Sequence, residues 1–399
     1  MAENETGPGK AEAPKAAQGG KKPAELLLLS SSPHIASPVE TRTLMANMLI
    51  ALGPASVFGI VLFGLPALLT VLVSVITAVT AEALFRLAVY GRRGEIRVWD
   101  FSAALTGLLL ALTLPPSTPF WMTALGAIFA VVVAKEFFGG LGANVFNPAL
   151  SGRAFMLMSF PAAMTRWHRP PPGFPGRFTL ALEDSLGKAS IVDGVSGVTP
   201  LNIAKLLADE KSRLGETLTA GDLLEAVGKD FLSSGASGGG EAWDTFTTLF
   251  VGNHAGSIGE SSILFILAGC AFLLITKTID WRAPLTMTLT GLLASWVLGY
   301  DPLFSVLSGG LLFGAVFMAT DYVTAPLTSK GKLIFGCGAG LIAVLIRKWG
   351  GYPEGVTYGI LIMNALTPFL NRLLPRKYGY VPKKKPAVSP ASGAAKGAS

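Results

Sequence analysis

Three small groups of residues carry the chemistry open to this chain. The first is a hydroxyl, Thr199, within "DGVSGVTPL" at 193–201, a run of small and polar residues in an otherwise apolar sequence. Thr199 before Pro200 reads as the N-cap and first residue of an amphipathic helix running through "LNIAKLLAD". The same position suits an attached phosphate, because the free N–H groups of a helix start favour an anion. Small neighbours, Ser196 and Gly197, would let a modifying enzyme reach the oxygen. The second group is an amide pair, Asn144 and Asn147, in "NVFNPALSGRAF". At i and i+3 the two can share a helix face and offer donors and acceptors together, while Asn147 before Pro148 equally suits a helix cap. The third is Asp321 in "MATDYVTAP", where an apolar run breaks. An intramembrane carboxylate is costly without a role, so Asp321 is a candidate for ion handling; the competing reading is a helix-terminal Asp bonded to backbone.

Little else offers reactivity. Cys270 and Cys337 lie in apolar runs without Cys or His at ligand spacing, so neither a disulfide nor a metal site is expected. His34, His168 and His254 read as interfacial or loop residues, and no His/Asp/Ser set suggests a catalytic residue of the chain's own.

The elements that position these groups are membrane helices. Hydrophobic residues make up 51% of the 399 and charged residues 14%, against about 25% charged in soluble domains, and the mean hydropathy is +0.53. The formal charge of +7 sits at segment ends and in the tails, which speaks for membrane topology and against nucleic acid. Apolar stretches of about spanning length fall near 43–63, 65–90, 101–115, 120–138, 146–164, 260–279, 283–299, 302–320, 332–348 and 356–374. The expectation is an all-α membrane protein of about ten helices. Its parts are a disordered tail (1–25), a first membrane half (26–164), a polar loop (165–256), a second half (257–377) and a basic tail (378–399).

With cytoplasmic termini, Arg86, Arg92, Arg93, Arg97, Lys135, Lys277, Arg282, Lys330 and Lys332 fall inside, and only Arg347 with Lys348 breaks the pattern. The 165–256 loop, and Thr199 with it, is then extracytoplasmic. "DFSAALTG" at 100–107 echoes "DPLFSVLSG" at 301–309, and "NVFNPALSGRAF" faintly echoes "LIMNALTPFLNR". Both echoes fall in the third and fifth spans of their halves, which suggests two inverted five-helix repeats with short or broken helices at matching places. "WDTFTTLFVGNHAGSIGE" reads as an amphipathic element on the outer face, with Trp243, Phe246 and Phe250 as an interfacial belt or a flavin cover.

"DGVSGVT" resembles the flavinylation motif, an Asp and then Ser-Gly-Ala-Thr, through which FMN is joined by its phosphate to a threonine hydroxyl. The departure is Val198, where that motif usually has Ala. The wider chain is similar to the D subunits of Rnf-type ion-translocating ferredoxin:NAD+ oxidoreductases. The resembling stretches are "SSPHIASP", "LTGLLLALTLPPSTPFW", "KEFFGGLGANVFNPALSGRAFMLMSFPAAMTRW", "GNHAGSIGESS", "FMATDYVTAPLTSKGKLIFG" and "GGYPEGVTYGILIMNALTPFLNR", spanning about 31–373.

This resemblance implies a flavin-carrying subunit of the bacterial inner membrane that takes part in ion-coupled electron transfer. FMN would be covalently held at Thr199, within the motif formed with Asp193, Ser196 and Gly197. A second, non-covalent flavin such as riboflavin is implied at Asn144 and Asn147 by the sister B subunits of Na+-translocating NADH:quinone reductases. Implied partners are the A, E and G membrane subunits, the B and C iron–sulfur subunits, a flavin transferase and membrane lipid. Two alternatives stand beside this reading: the quinone-reductase B subunit itself, which usually has a longer N-terminal region, and a solute channel or transporter built on inverted repeats.

Overall fold

The structure, a computed structural model, describes residues 40–91, 98–168, 196–197, 199–214, 222, 226–227, 242–252, 254–351 and 354–373. Both tails, Asp193, and most of the 165–256 loop lie outside the described residues. From Thr41 onward the chain forms one compact unit.

Among the described residues four helical stretches are long and apolar enough to cross a membrane: Thr41–Phe63, Leu65–Val89, Phe120–Phe138 and Ser329–Trp349. The first is α1 and the second begins α2 (Leu65–Tyr90), the two separated only at Gly64, whose φ of 75° breaks the helix before Pro66. The third begins as α4 (Phe120–Ile128) after α3 (Ser102–Leu112). Residues Ile76, Leu84, Trp296 and Val297 are large, apolar and turned away from the bundle. Such a surface is covered by lipid in a membrane protein.

Several expected spans are shorter than the apolar runs that announced them, and the reason is local backbone geometry. The run at 101–115 yields the 11-residue α3, and 146–164 yields α5 (Pro148–Ser159) and a single turn, α6 (Pro161–Met164). α4 passes into a π turn at Phe129–Val133, closed by Ala134 N–H donating to Phe129 O at 3.1 Å. The run at 302–320 breaks into α11 (Pro302–Leu307), α12 (Leu311–Phe313) and a second π turn at Gly314–Met318, closed by Ala319 N–H donating to Gly314 O at 2.7 Å. π turns inside helices are frequent at functional sites.

Between the halves, the paired residues β1 (Trp167–His168) and β2 (Ser196–Gly197) precede α7 (Pro200–Leu214), and α8 (Ala242–Val251) follows. The stretch His254–Ser262 continues from the expected amphipathic element. It is buried, and its Gly259 and Ile258 N–H groups donate to Leu112 O (2.7 Å) and Leu114 O (3.3 Å), filling acceptors that the end of α3 leaves open.

The second half adds α9 (Ile263–Ile275), α10 (Arg282–Val297), α13 (Ser329–Trp349) and α14 (Val356–Leu370). Glycines let these helices approach closely. A Cβ at Gly336 or Gly340 of α13 would sit 2.5 Å from Ala283 O or Met287 O of α10, so the pair packs backbone to backbone.

Candidate functional site

Thr199 caps α7 as its residue type suggests. Its Oγ1 accepts from Asn202 N–H at 3.2 Å, its carbonyl accepts from Ile203 N–H at 3.0 Å, and the residue is 7% exposed. α7 is seated on the membrane helices: Leu201 lies against Gly309, Lys205 Nζ donates to Gly350 O, and Ala204 packs with Phe304 of α11. A small cavity lined by Leu201, Lys205, Tyr300, Phe304 and Arg347 lies under the helix. At the helix start Pro200 has no N–H, the N–H groups of Asn202 and Ile203 are taken by Thr199 and Lys205 is held by Gly350, so of the first-turn donors the N–H of Leu201 is the one that would face a phosphate on Thr199.

Asn147 also caps a helix: Oδ1 accepts from Leu150 N–H at 3.2 Å. Its Nδ2 donates to Met318 O at 3.4 Å, so the start of α5 is tied to the second π turn. Asn144 differs. Its Nδ2 donates to Phe146 O at 3.2 Å, but its Oδ1 is buried without a partner among the described residues, and the residue is 6% exposed. An acceptor left unpaired in an apolar interior is costly, and a ligand N–H or O–H is a fitting donor for it. Of the two amides, Asn147 has a complete structural role and Asn144 has the open acceptor.

Asp321 follows the second π turn and closes a tight loop. Thr324 Oγ1 donates to its carboxylate at 2.8 Å, and its carbonyl accepts from Ala325 N–H at 3.1 Å. The helix-end reading accounts for these contacts.

Two buried charge clusters were hidden from the sequence. In the first, Lys135, at 1% exposure, donates to Glu82 Oε2 at 2.8 Å and to Ser102 Oγ at 2.6 Å. Ser102 passes its own hydrogen to Asp100 Oδ1 at 2.7 Å, while Arg86 pairs with Glu136 at 3.1 Å and stands 3.2 Å from Glu82. The cluster ties α2 and the start of α3 to the stretch after the first π turn. Lys135 and Arg86 count in the sequence as topology-setting charges, yet their partners hold them inside. The available signal was Glu82, an acid within the apolar run 65–90, one turn before Arg86.

In the second cluster, Arg153 of α5 pairs with Glu354 in the link between α13 and α14. Arg347 donates to Ser305 O at 2.5 Å and to Ser308 O at 3.5 Å. Glu260 Oε1 accepts from Ser257 N–H at 3.0 Å, and its Oε2 is buried without a partner among the described residues. Burial pushes the Glu354 carboxyl up to about 7, against the pull of Arg153 and with the push of Glu260. Arg347 is thus an interior residue, two of whose nitrogens donate to backbone carbonyls, and not a loop charge.

A bundle of apolar helices, four of them long enough to span a bilayer, with buried ion pairs between them, defines an integral membrane protein. The chain belongs to the NQR2, RnfD, RnfE family, whose model matches residues 28–379. It is 39% identical over 362 residues to a Clostridium ljungdahlii protein named as the D subunit of a proton-translocating ferredoxin:NAD(+) oxidoreductase complex, covering 89% of this chain and 96% of that one. It is 38% identical over 362 residues to an Acetobacterium woodii protein named as the D subunit of a Na(+)-translocating ferredoxin:NAD(+) oxidoreductase complex, covering 90% and 98%. An Escherichia coli protein named as the D subunit of an ion-translocating oxidoreductase complex is 34% identical over 374 residues, covering 88% and 98%.

Proposed function

We propose that this chain is the D subunit of an Rnf-type complex, carrying flavin in electron transfer between ferredoxin and NAD+ that is coupled to Na+ or H+ translocation. The name shared by relatives matched over nearly their whole length supports the subunit assignment. The observation that carries the flavin reading is Thr199, the capping hydroxyl of a helix seated on the membrane bundle, within a motif resembling the flavinylation sequence. FMN is joined there through its phosphate, with Ser196, Gly197 and Asp193 as the rest of the motif. A second, non-covalent flavin lies at Asn144 and Asn147, where Asn144 contributes the open Oδ1.

Bound flavin supplies the redox chemistry, and the chain's residues bind and orient it. Thr199 Oγ1 would carry the phosphate at the start of α7, and Lys205 fixes that helix to Gly350. At the other site Asn147 holds α5 against Met318, so that Asn144 presents its acceptor from a fixed loop. The termini are cytoplasmic and α7 lies outside the inner membrane, as the positive-charge pattern supports. About ten helices in two inverted halves remain the proposed architecture, and the A, E, G, B and C subunits of the complex are the proposed partners together with a flavin transferase.

The test is intact mass of the chain co-produced with a flavin transferase. A mass increase by one FMN residue that disappears in Thr199→Val supports the reading, and an unmodified wild-type mass overturns it.

A further inference from the structure

The cavity beneath α7 has a volume of about 30 Å³, room for an ordered water. Its wall runs from half-buried Lys205, Tyr300 and Asp301 to buried Ser305 and Arg347. Arg347 joins this cavity to the second charge cluster. Its guanidinium and Leu201 of α7 both stand against Gly309, where a Cβ would sit 3.5 Å from Nη2 and 3.2 Å from Leu201 Cδ2. The same guanidinium is close enough to Glu354 and Glu260 to attract both.

Around Glu354 the charges come from three elements: Arg153 of α5 pairs with it, Arg347 of α13 attracts it, and Glu260 of the buried stretch after α8 repels it. α14 carries no Asp, Glu, Lys, Arg or His. Glu260 is 6% exposed, and its Oε2, unpaired among the described residues, is packed 2.8 Å from where a Cβ on Gly310 would sit. His254 is the remaining titratable neighbour: a Cβ on Gly256 would lie 3.4 Å from Glu260 Oε1 and 3.6 Å from the imidazole. Burial pushes that imidazole down, so it stays neutral at neutral pH. Two carboxylates and two guanidiniums thus share an enclosed space beside the cavity. One proton on Glu354 relieves the repulsion between the acids and leaves the cluster with one net positive charge.

We propose that Glu354 is a redox-linked proton acceptor: it takes a proton from the water bathing α7 when the flavin on Thr199 gains an electron, and returns it when the electron leaves. The proposal rests on the FMN proposed at Thr199 and gives it a charge-compensating group within the same chain. The step balances. A reduced iron–sulfur donor of the ferredoxin class loses one electron, the flavin gains it, and a solvent proton forms one O–H bond on the Glu354 carboxylate. A negative charge added above the cluster favours the protonated carboxyl, and the apolar surroundings strengthen that pull. Burial already pushes Glu354 up to about 7, where a modest field moves it between its two forms.

The full chain is co-produced with a flavin transferase, purified in detergent and reduced electrochemically while infrared difference spectra are recorded. Reduction at neutral pH should raise the C=O band of a protonated carboxyl, moved by isotope-labelled glutamate and absent from Glu354→Gln. Flavin absorbance shows that both proteins are reduced to the same extent. Glu260→Gln removes the repelling charge and keeps the shape, so there the band should persist with its pH midpoint lower by roughly one unit. Should the Glu354 variant not fold, this shift decides, and an unmoved midpoint overturns the proposal. Flavin reduced without a glutamate band in wild type, or with an unchanged band in Glu354→Gln, overturns it while leaving the attached FMN in place. A wild-type chain that carries no flavin by intact mass overturns the reading at Thr199, and this proposal with it.

Discussion

Lys135→Met removes one ammonium group from the middle of the first charge cluster and keeps most of the side-chain volume. In the native protein that ammonium bonds Glu82 at 2.8 Å and Ser102 at 2.6 Å, and both acid and base are closed off from solvent. After the substitution Ser102 keeps its bond to Asp100, so the hydroxyl loses little. Glu82 is left with Arg86 at 3.2 Å, but that guanidinium is already bonded to Glu136 at 3.1 Å. Two buried carboxylates then share one cation. Breaking a buried pair in this way costs roughly 3–5 kcal/mol. Adding Glu82→Leu restores the balance, because Arg86 and Glu136 remain a complete pair, and the double variant should lie within about 1 kcal/mol of wild type. The assay is unfolding by SDS titration in mixed micelles, followed by circular dichroism. Because the pair is enclosed, the loss should be insensitive to salt between about 0.05 and 0.5 M. A single-variant loss below about 1 kcal/mol, or a double variant no better than the sum of the singles, would refute the cluster as a coupled interior unit.

Three further outcomes are expected. Thr199→Val should abolish protein-bound flavin fluorescence and loosen α7 by about 0.5–2 kcal/mol through loss of the cap, read as faster hydrogen exchange at Asn202, whereas Thr199→Ser should keep both; retained fluorescence in the valine variant excludes the ester. With Cys270 and Cys337 replaced by alanine, a cysteine at Leu206, 64% exposed on α7, should react with an impermeant thiol reagent on intact cells, and one at Trp99, 76% exposed, only after lysis; reversed labelling inverts the topology. Glu354 holds a proton in the folded protein up to about pH 7 that the unfolded chain releases near its ordinary value of 4.5, so this group adds stability as pH falls from 7 towards 4.5 and that contribution is lost as pH rises through 7. Glu354→Gln should therefore make thermal stability decline more steeply on acidification across that window, and an unchanged slope would show that the carboxyl does not titrate there.

The helix caps were legible because they are local. Thr199-Pro200 and Asn147-Pro148 place an acceptor and an N1 proline side by side, and both caps form. The interior charges were not legible, because their partners come from distant parts of the chain: Glu82 and Lys135 are 53 residues apart and Arg153 and Glu354 are 201 apart. Charge-counting along the sequence assigns each lysine or arginine to a membrane surface, and Arg347 shows where that fails. Span lengths were overread for a related reason. Apolar composition sets which residues avoid water but not the backbone path, and proline and glycine at 115–119 and 309–314 leave the chain in short helices and π turns.

Those interruptions explain why polar side chains gather where they do. A π turn displaces carbonyls from the regular ladder, and in an apolar interior each must find a donor. In the second π turn Val316 O is taken by the hydroxyl of Thr320 at 2.6 Å and Met318 O by the amide of Asn147. The latter bond crosses from one half of the chain to the other, and Asn147 can make it only because its oxygen is fixed by Leu150 at the start of α5. Backbone irregularity and inter-half contact are thus one feature. The cost of leaving the helical ladder is offset by side chains that must come from elsewhere in the fold, and this ties the start of α5 to the second π turn. A substitution at Asn147 therefore removes both the cap of α5 and the bond to Met318, whereas one at Asn144 removes a side chain whose only bond is to Phe146 O two residues on.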